Sequence, residues 1–313
     1  MKAIRLHTRG GPERLVYEDA PEPTLAEGDV LVRVYGSGVT PSELTWGSNW
    51  KDRKGENRLP SIPGHELSGV VALVGPGAAG VAIGDAVYAL TDFWRDGSAA
   101  ESIAVSAADL APKPSSLGHA HAAAVPLSAL TAWQALFEQA RLAAGQRVLI
   151  HGAAGGVGSF AVQLAHIRGA RVVATAAGGD TDFVRGLGAD EVIDYRATRF
   201  EEVVQGVDAV LDTVGGDTLE RSVGVLRRGG TLVSTVAAPS QEQVAPHGIR
   251  GLTFIVEPNR GQLIEIAQLI DGGKLQPILA GVLPLMQARE AYERGLAGGV
   301  RGKLVLRVPE NPG

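Results

Sequence analysis

The chain of 313 residues contains no cysteine, and this absence removes several chemistries at once. Disulfides, thiolate nucleophiles and cysteine-ligated metals are all excluded. There is no excess of basic residues either, because the formal net charge is −5, which argues against binding to nucleic acid or to an anionic membrane. No apolar run approaches the ~20 residues that a membrane-spanning helix needs. We therefore expect a soluble, cytoplasmic protein with neither a nucleic-acid nor a membrane partner.

The pattern of apolar and turn-forming residues changes along the chain. In the first third, short runs rich in Val, Ile and Tyr alternate with turn clusters such as Gly75-Pro76-Gly77, which predicts a small irregular β-barrel. From Gln146 onward the pattern alternates between strand and helix, which predicts a doubly wound parallel sheet. The predicted strands span 147–151, 171–176, 191–194, 207–212, 230–236 and 252–256, and the predicted helices span 156–168, 181–187, 199–205 and 217–227.

These patterns together predict an α/β protein with two domains. The run Lys303–Val308 is β again after a helical stretch, so we expect it to return to the first domain. The predicted β-barrel domain is therefore discontinuous, with residues 1–121 and 257–313, and the predicted dinucleotide-binding domain spans residues 122–256.

The segment from Gln146 to Ala170, QRVLIHGAAGGVGSFAVQLAHIRGA, carries the strongest functional signal. It predicts a strand, a turn of small residues and a helix, the unit that places a dinucleotide pyrophosphate on a helix N-terminus. Gly155 would let the backbone approach the phosphates, and Gly158 would let the helix pack closely on the strand. We expect cofactor contacts throughout this turn, from Ala153, Ala154, Gly155, Gly156, Val157 and Gly158.

The end of the next predicted strand bears on the choice between NADPH and NADH. Enzymes that prefer NAD usually carry a carboxylate there, about 20 residues after the glycine turn. In this chain the corresponding residues are Ala176-Ala177-Gly178-Gly179. The absence of a carboxylate at that strand end permits the 2′-phosphate of NADPH without requiring it, so NADPH is predicted and NADH remains the alternative.

Seven stretches in the same order resemble one family. The chain resembles the zinc-independent quinone oxidoreductases of the medium-chain dehydrogenase/reductase superfamily, which implies a GroES-like catalytic domain, a central Rossmann domain, and a homodimer that joins edge strands through LTFIVEP (252–258). The stretches are GVTPSE (38–43), PGHELSGVV (63–71), VPLSALTAW (125–133), VLIHGAAGGVG (148–158), LGADEVIDY (187–195), LDTVGG (211–216) and RGKLVL (301–306).

The resemblance also implies further cofactor contacts. Tyr195 matches a Tyr that contacts the 2′-phosphate, with Arg196 beside it, and Thr131 would lie near the nicotinamide. Plainer alternatives stay open, namely a helix-interior Thr131, a surface Arg196, an exposed strand-edge Lys303, and core or dimer-edge roles for residues 254–256. The remaining implied contacts are Thr213, Val214, Ser234, Val236, Phe254, Val256 and Lys303.

A metal is not expected, although His65-Glu66 stands where the zinc alcohol dehydrogenases of the same superfamily carry a ligand. A catalytic zinc needs three protein ligands, most often His and Cys, and no Cys exists to complete the set. We therefore predict no metal, with His65 a hydrogen-bonded histidine of the substrate cleft or the core.

The predicted function is hydride transfer from NADPH to a small-molecule quinone or α,β-unsaturated carbonyl, without zinc. Thr40 is the candidate catalytic residue, standing where the family usually has Asn, because its hydroxyl could donate to a carbonyl oxygen. Thr40, Trp46 and His65 are expected to line the substrate cleft. An enoyl-thioester reductase is one alternative, and a non-catalytic NADPH-binding protein is another.

Overall fold

The computed structural model describes residues 1–309. Residue contacts divide the chain into two compact units, Met1–Leu127 with the segment from Glu257 onward, and Ser128–Val256. The first contact boundary lies six residues after the predicted one at 121/122, inside a helix that spans Pro126–Trp133. The predicted domain limits stay predictions about which parts fold independently.

The first unit is mostly β, as its Gly/Pro-punctuated sequence predicts. Short 3₁₀ turns follow β3 at Pro41–Thr45 and Gly47–Asn49. The elements are β1 (Lys2–Leu6), β2 (Leu15–Asp19), β3 (Asp29–Val39), β4 (Glu66–Val74), β5 (Ala86–Leu90), β6 (Ser102–Ser106), β7 (Ala111–Pro112), α1 (His119–Ala122) and α2 (Pro126–Trp133).

The second unit is a six-stranded parallel sheet, and it confirms the doubly wound prediction. Its strand order is β10-β9-β8-β11-β12-β13, and the inner strands are apolar because helices cover both faces of such a sheet. A π-helical stretch, Gln134–Gln139, follows α2. The elements are β8 (Arg147–Ile150), α3 (Gly156–Ile167), β9 (Arg171–Ala176), α4 (Thr181–Gly186), β10 (Glu191–Asp194), α5 (Phe200–Val203), β11 (Val207–Asp212), α6 (Asp217–Ser222), β12 (Leu226–Ser234), α7 (Gln241–Val244) and β13 (Arg250–Thr253).

Three predicted elements in this unit have wrong bounds for reasons that lie in the sheet, and one of them, the strand predicted over 230–236, spans Leu226–Ser234 as β12. The helix predicted over 217–227 ends at Ser222, because Leu226 already pairs with Val207 as the start of β12. The strand predicted over 252–256 ends at Thr253, because its partner β12 ends at Ser234, which lies opposite Thr253. The edge of the sheet is therefore β13, and only the first two residues of LTFIVEP belong to it. Dimer formation through this edge stays a prediction.

The chain then returns to the first unit through α8 (Arg260–Asp271), β14 (Leu279–Pro284), α9 (Ala288–Ala297) and β15 (Lys303–Arg307). β15 pairs antiparallel with β3, with Leu304 opposite Val39. The returning strand therefore completes a seven-stranded sheet of order β14-β15-β3-β4-β5-β7, with β6 also on β3. This pairing brings Lys303 to the end of β3, where Thr40 begins the next turn.

Within residues 1–309, none of the helices combines the length and the apolar character that crossing a membrane requires.

Candidate active site

The turn between β8 and α3 is shaped to receive an anion. Gly155 is the N-cap of α3, and no side chain caps the first turn of this helix. The first backbone N–H groups of a helix have no partner within the helix, so they can bind a phosphate. A Cβ built on Gly155 would come no closer than 3.3 Å to the surrounding protein, at Gly152 O. A methyl group at this position therefore requires a shift of only a few tenths of an ångström at Gly152 O, and the residues fit a pyrophosphate that approaches the turn.

Gly158 has a different role, because it serves the packing of the protein itself. A Cβ at this position would overlap the carbonyl group of Gly152 and the Cα atom of Ala153. Backbone atoms cannot move aside as a flexible side chain can, so α3 can lie this close to the turn only with glycine here.

Asp212, at the end of β11, organises the loops at the carboxyl edge of the parallel sheet. Its buried carboxylate accepts hydrogen bonds from Val214 N at 3.0 Å, Gly215 N at 3.0 Å and Ser234 Oγ at 2.8 Å. Ser234 Oγ in turn accepts a hydrogen bond from Val236 N at 3.1 Å. Ser234 is fully buried, so its side chain faces Asp212, whereas Val214 and Val236 are more than half exposed.

His151, at the end of β8, ties the same edge together. Its Nδ1 lies 2.9 Å from Thr175 Oγ1 and its Nε2 lies 3.0 Å from Ser222 Oγ. Burial lowers the pKa of His151 to about 4, so the imidazole is neutral at pH 7. Thr213 Oγ1 donates to His151 O at 2.8 Å. The predicted site does not include His151 or Asp212. The one feature of the sequence that points to them is that each is a polar residue at the end of an apolar strand.

The ends of β9 and β10 lie side by side, and this corrects the prediction that no carboxylate lies at the end of β9. In the sheet register Asp194 lies opposite Ala176, and a Cβ on Gly178 would be 2.5 Å from Asp194 Oδ2. A carboxylate therefore lies beside the end of β9, supplied by the neighbouring strand. Tyr195 is 55% exposed, and the Arg196 guanidinium lies 5.7 Å from its ring centroid. The Arg196 backbone N–H donates a hydrogen bond to Asp194 Oδ1 at 3.0 Å, whereas the Arg196 guanidinium forms no ion pair in the part of the chain that the structure describes.

Three other predicted cofactor contacts belong to the Ser128–Val256 unit. Thr131 is buried within α2. Phe254 is half-buried and Val256 is buried, and both follow the end of β13.

In the first unit, the three side chains of Lys303, Glu66 and Thr40 form a buried charge cluster. Lys303 Nζ lies 2.5 Å from Glu66 Oε1 and donates a hydrogen bond to Thr40 Oγ1 at 3.0 Å. The Lys303 side chain is only 7% exposed, so the alternative of an exposed strand-edge lysine is wrong. Gly38 makes room for this pair, because a Cβ there would overlap the Glu66 carboxyl group. Thr40 is partly exposed, at the border of the cluster.

A second buried group lies beside this cluster and contains Glu43 and His65. The Glu43 carboxyl group accepts hydrogen bonds from Tyr292 Oη and from Gly64 N, the latter at 3.2 Å. Burial raises the pKa of Glu43 to about 7. His65 Nε2 lies 4.0 Å from Glu43 Oε2, and burial lowers the pKa of His65 to about 3.

His65 is enclosed by aromatic rings. The ring of Trp46 stacks on it with centroids 6.1 Å apart, and the ring of Phe93 meets it edge-on at 5.1 Å. Neither ring nitrogen of His65 has a hydrogen-bond partner among residues 1–309. The prediction that His65 is hydrogen-bonded is therefore wrong, because the aromatic rings offer no acceptor and Glu43 Oε2, at 4.0 Å, lies beyond hydrogen-bond distance.

The residues around His65 and Glu66 do not fit a zinc ion. Across the described 309 residues, no group of three or more His, Cys, Asp or Glu side chains is placed to hold a metal. Moreover, the Lys303 ammonium occupies the space beside the Glu66 carboxylate at 2.5 Å, where it would repel a divalent cation.

Comparison with known proteins agrees with this fold. Residues 26–115 match the alcohol dehydrogenase GroES-like domain, and residues 187–306 match the zinc-binding dehydrogenase family. The chain is 35% identical over 305 residues to a mitochondrial Arthroderma benhamiae protein named a probable zinc-binding oxidoreductase, covering 92% of this chain and 91% of that one. It is 34% identical to the 2-methylene-furan-3-one reductase of Solanum lycopersicum, covering 91% of this chain and 73% of that one.

Among solved structures, the quinone oxidoreductase from Coxiella burnetii superposes with a TM-score of 0.91 at 33% identity, and 99% of each chain is covered. The parallel sheet, the glycine turn and these similarities define an oxidoreductase that uses a nicotinamide cofactor. The chain belongs to the medium-chain dehydrogenase/reductase superfamily.

The two glycines of the turn are expected to respond differently to an added methyl group. Gly155→Ala should leave the unfolding temperature within about two degrees of wild type but weaken binding of the nicotinamide cofactor about tenfold, because the added methyl group would take up space that an approaching pyrophosphate needs. Gly158→Ala should instead cost about 1–3 kcal/mol of folding free energy through overpacking. Thermal unfolding and NADPH fluorescence titration of both variants make the comparison. Equal loss of binding without loss of stability in both would contradict the division of roles.

The stability of the protein should depend on pH through Glu43 and His65 in opposite directions. Because the pKa of Glu43 rises from 4.5 to about 7 on folding, its contribution is complete below pH 4.5 and is lost as the pH rises through 7. Because the pKa of His65 falls from 6.5 to about 3, its contribution is complete above pH 6.5 and is lost as the pH falls toward 3.

Glu43→Gln separates the two contributions. The free energy of unfolding of this variant, relative to wild type, should rise between pH 4.5 and 7 by up to about 3 kcal/mol and then level off. Urea unfolding at several pH values measures the difference, with the exposed Glu56→Gln as the control variant. A difference that stays constant with pH would show that Glu43 is ionised in the folded protein.

Proposed function

We propose that this protein transfers a hydride from NADPH to a quinone or to the β-carbon of an α,β-unsaturated carbonyl, and that it does so without zinc. The observation that carries the proposal is Thr40, whose hydroxyl oxygen accepts a hydrogen bond from Lys303 Nζ at 3.0 Å. Thr40 does not cap the 3₁₀ turn that follows it, and its hydroxyl proton has no acceptor within residues 1–309. That proton is therefore available to a substrate oxygen.

The reaction moves two electrons and one proton as a hydride from the nicotinamide to the acceptor. When the acceptor is an enone, the new C–H bond forms at the β-carbon and the electron pair of the double bond moves to the carbonyl oxygen, giving an enolate. A hydrogen bond to that oxygen stabilises the enolate more than the uncharged carbonyl. The enolate then takes a proton from water. In this scheme Thr40 donates the hydrogen bond, and the cofactor supplies the redox chemistry.

Similarity to named reductases supports the choice of acceptor. The Solanum relative is named for the reduction of a methylene-furanone, and the Coxiella structure is named a quinone oxidoreductase. Both names describe conjugated carbonyl compounds, in which the oxygen gains charge as the hydride arrives. The absence of a fitting zinc ligand set favours such acceptors, because conjugation already polarises them.

The charges beside the end of β9 support NADPH as the preferred cofactor, with NADH also accepted. The Arg196 guanidinium lies over the Tyr195 ring and forms no ion pair within residues 1–309, so it could bind the 2′-phosphate. Asp194 lies nearby and has the opposite charge. A carboxylate in this place could accept a hydrogen bond from a ribose hydroxyl, so discrimination against NADH should be incomplete.

Reversing the charge at Arg196 tests this assignment. Arg196→Glu should raise the dissociation constant of NADPH about tenfold or more, because a charge-assisted contact becomes a repulsion. The dissociation constant of NADH should change by less than about twofold. Fluorescence titration with each cofactor measures both, and Arg185→Glu, a reversal at another exposed arginine of the same unit, is the control. Equal weakening of both cofactors would place Arg196 outside the phosphate site.

An acceptor panel tests the reaction itself. Purified protein should oxidise NADPH in the presence of quinones or enones, followed at the absorbance of the reduced nicotinamide, and a chelator should not slow it. Turnover with an enoyl thioester but with no quinone or enone would favour the thioester-reductase alternative. Tight NADPH binding with no turnover on any acceptor would favour a non-catalytic cofactor-binding protein.

A further inference from the structure

The Lys303 side chain is an unusual group to find in the interior of the first unit. Its residue is 6% exposed, and its ammonium is flanked by the side chains of Glu66 and Thr40. Removing an ammonium and a carboxylate from water is costly, and their mutual attraction does not always repay the cost. A buried ion pair is therefore weak support for a purely stabilising role, and its position at a partly exposed hydroxyl needs another explanation.

Several contacts fix the Glu66 carboxylate in place. Its Oε1 lies 2.5 Å from Lys303 Nζ and its Oε2 accepts a hydrogen bond from Leu127 N at 3.0 Å. Gly38, the residue before Val39 in β3, leaves the space that the carboxyl group fills. The carboxylate is thus held on two sides, and it holds the ammonium at the start of β15, beside Thr40.

The hydrogen bond from Lys303 determines how Thr40 can act. An ammonium can only donate, so Thr40 Oγ1 accepts from it and keeps its own proton to donate elsewhere. A hydroxyl that accepts from a cation becomes a stronger donor, because the bonds of a hydrogen-bonded chain polarise one another. The ammonium also orients the hydroxyl, since one of the oxygen lone pairs must point toward Nζ.

We propose that Lys303 is a positioning residue that orients and polarises the Thr40 hydroxyl for the substrate oxygen, and that Glu66 serves to hold the buried ammonium in that place. The effect grows as negative charge develops on the oxygen, because the positive charge lies one hydrogen bond behind the donor in a poorly hydrated site. In this proposal Lys303 acts through Thr40, which replaces the cofactor contact that the family resemblance implies for Lys303. This inference rests on the proposed function.

The test removes the two buried charges together. Lys303→Met alone would leave the Glu66 carboxylate buried without a partner and could unfold the protein, so the variant is Lys303→Met with Glu66→Gln, in which the amide oxygen can still accept from Leu127 N. The series adds Thr40→Val and the triple variant. The control is Lys2→Met with Asp19→Asn, which removes an exposed ion pair of the same unit. The measured quantities are kcat and KM for a quinone or enone at saturating NADPH, the dissociation constant of NADPH, and the unfolding temperature.

Thr40→Val should lower kcat about 10- to 100-fold, and the paired variant should lower it by a similar factor. The triple variant should be no slower than the slower of these two, because both changes remove the same polarised hydrogen bond. The dissociation constant of NADPH should stay within about twofold of wild type in every variant, and the control should retain wild-type kcat.

Three results would overturn the inference. One is a triple variant in which the fold-decreases of kcat from Thr40→Val and from the paired variant multiply, which would mean that Lys303 acts independently of Thr40. Another is a folded paired variant with unchanged kcat. The third is a loss of NADPH affinity that parallels the loss of kcat, which would mean that Lys303 contacts the cofactor. A wild-type protein that reduces no acceptor would overturn the proposed function and this inference together, whereas the other three results leave the proposed function intact.

Discussion

The ion pair between Lys303 and Glu66 is the interaction on which the first unit depends. It joins β15, the last strand of the chain, to β4 in the interior of the unit, with Lys303 Nζ 2.5 Å from Glu66 Oε1. A buried charge without its partner destabilises the folded protein, so the strands that carry the two charges must stay in register. The pairing of Leu304 with Val39 therefore both completes the seven-stranded sheet and sets the ammonium at Thr40.

In the other unit, a buried negative charge, the Asp212 carboxylate, organises the parallel sheet. Asp212 gathers backbone N–H groups and the Ser234 hydroxyl at the ends of β11 and β12, while the neutral His151 bridges β9 and α6. These buried groups shape the loops at the carboxyl edge, where doubly wound sheets bind their ligands. The glycine turn can then present α3 to a phosphate without a side-chain cap.

Much of the fold was predictable because its signals are local. The predicted strands 191–194 and 207–212 coincide with β10 and β11, since a run of β-branched residues between turn signals needs no knowledge of distant partners. The glycine turn was predictable for the same reason. The predicted bounds of elements were wrong where pairing between strands decides them. Leu226 is an example, because the sequence pattern assigns it to a helix, whereas in the sheet it pairs with Val207 as part of a strand.

The site was less predictable because its contacts join distant parts of the chain. No spacing rule connects Lys303 with Glu66, or Asp194 with Gly178, and only the sheet register brings them together. His65 shows the converse, since its sequence context suggests a hydrogen-bonded histidine, whereas Trp46 and Phe93 enclose it without a polar partner. Resemblance selected Thr40 and Lys303 as site residues, but the contact between them came from the structure.

In the proposed reaction a buried ammonium, and not a metal ion, supports the reacting oxygen. The most direct measurement is the zinc content of protein purified without added metal, determined by mass spectrometry alongside the rate of NADPH oxidation by an enone or quinone. We expect full activity at a zinc content far below one ion per chain, and no gain when zinc is added. Activity that rises in proportion to bound zinc would contradict this expectation.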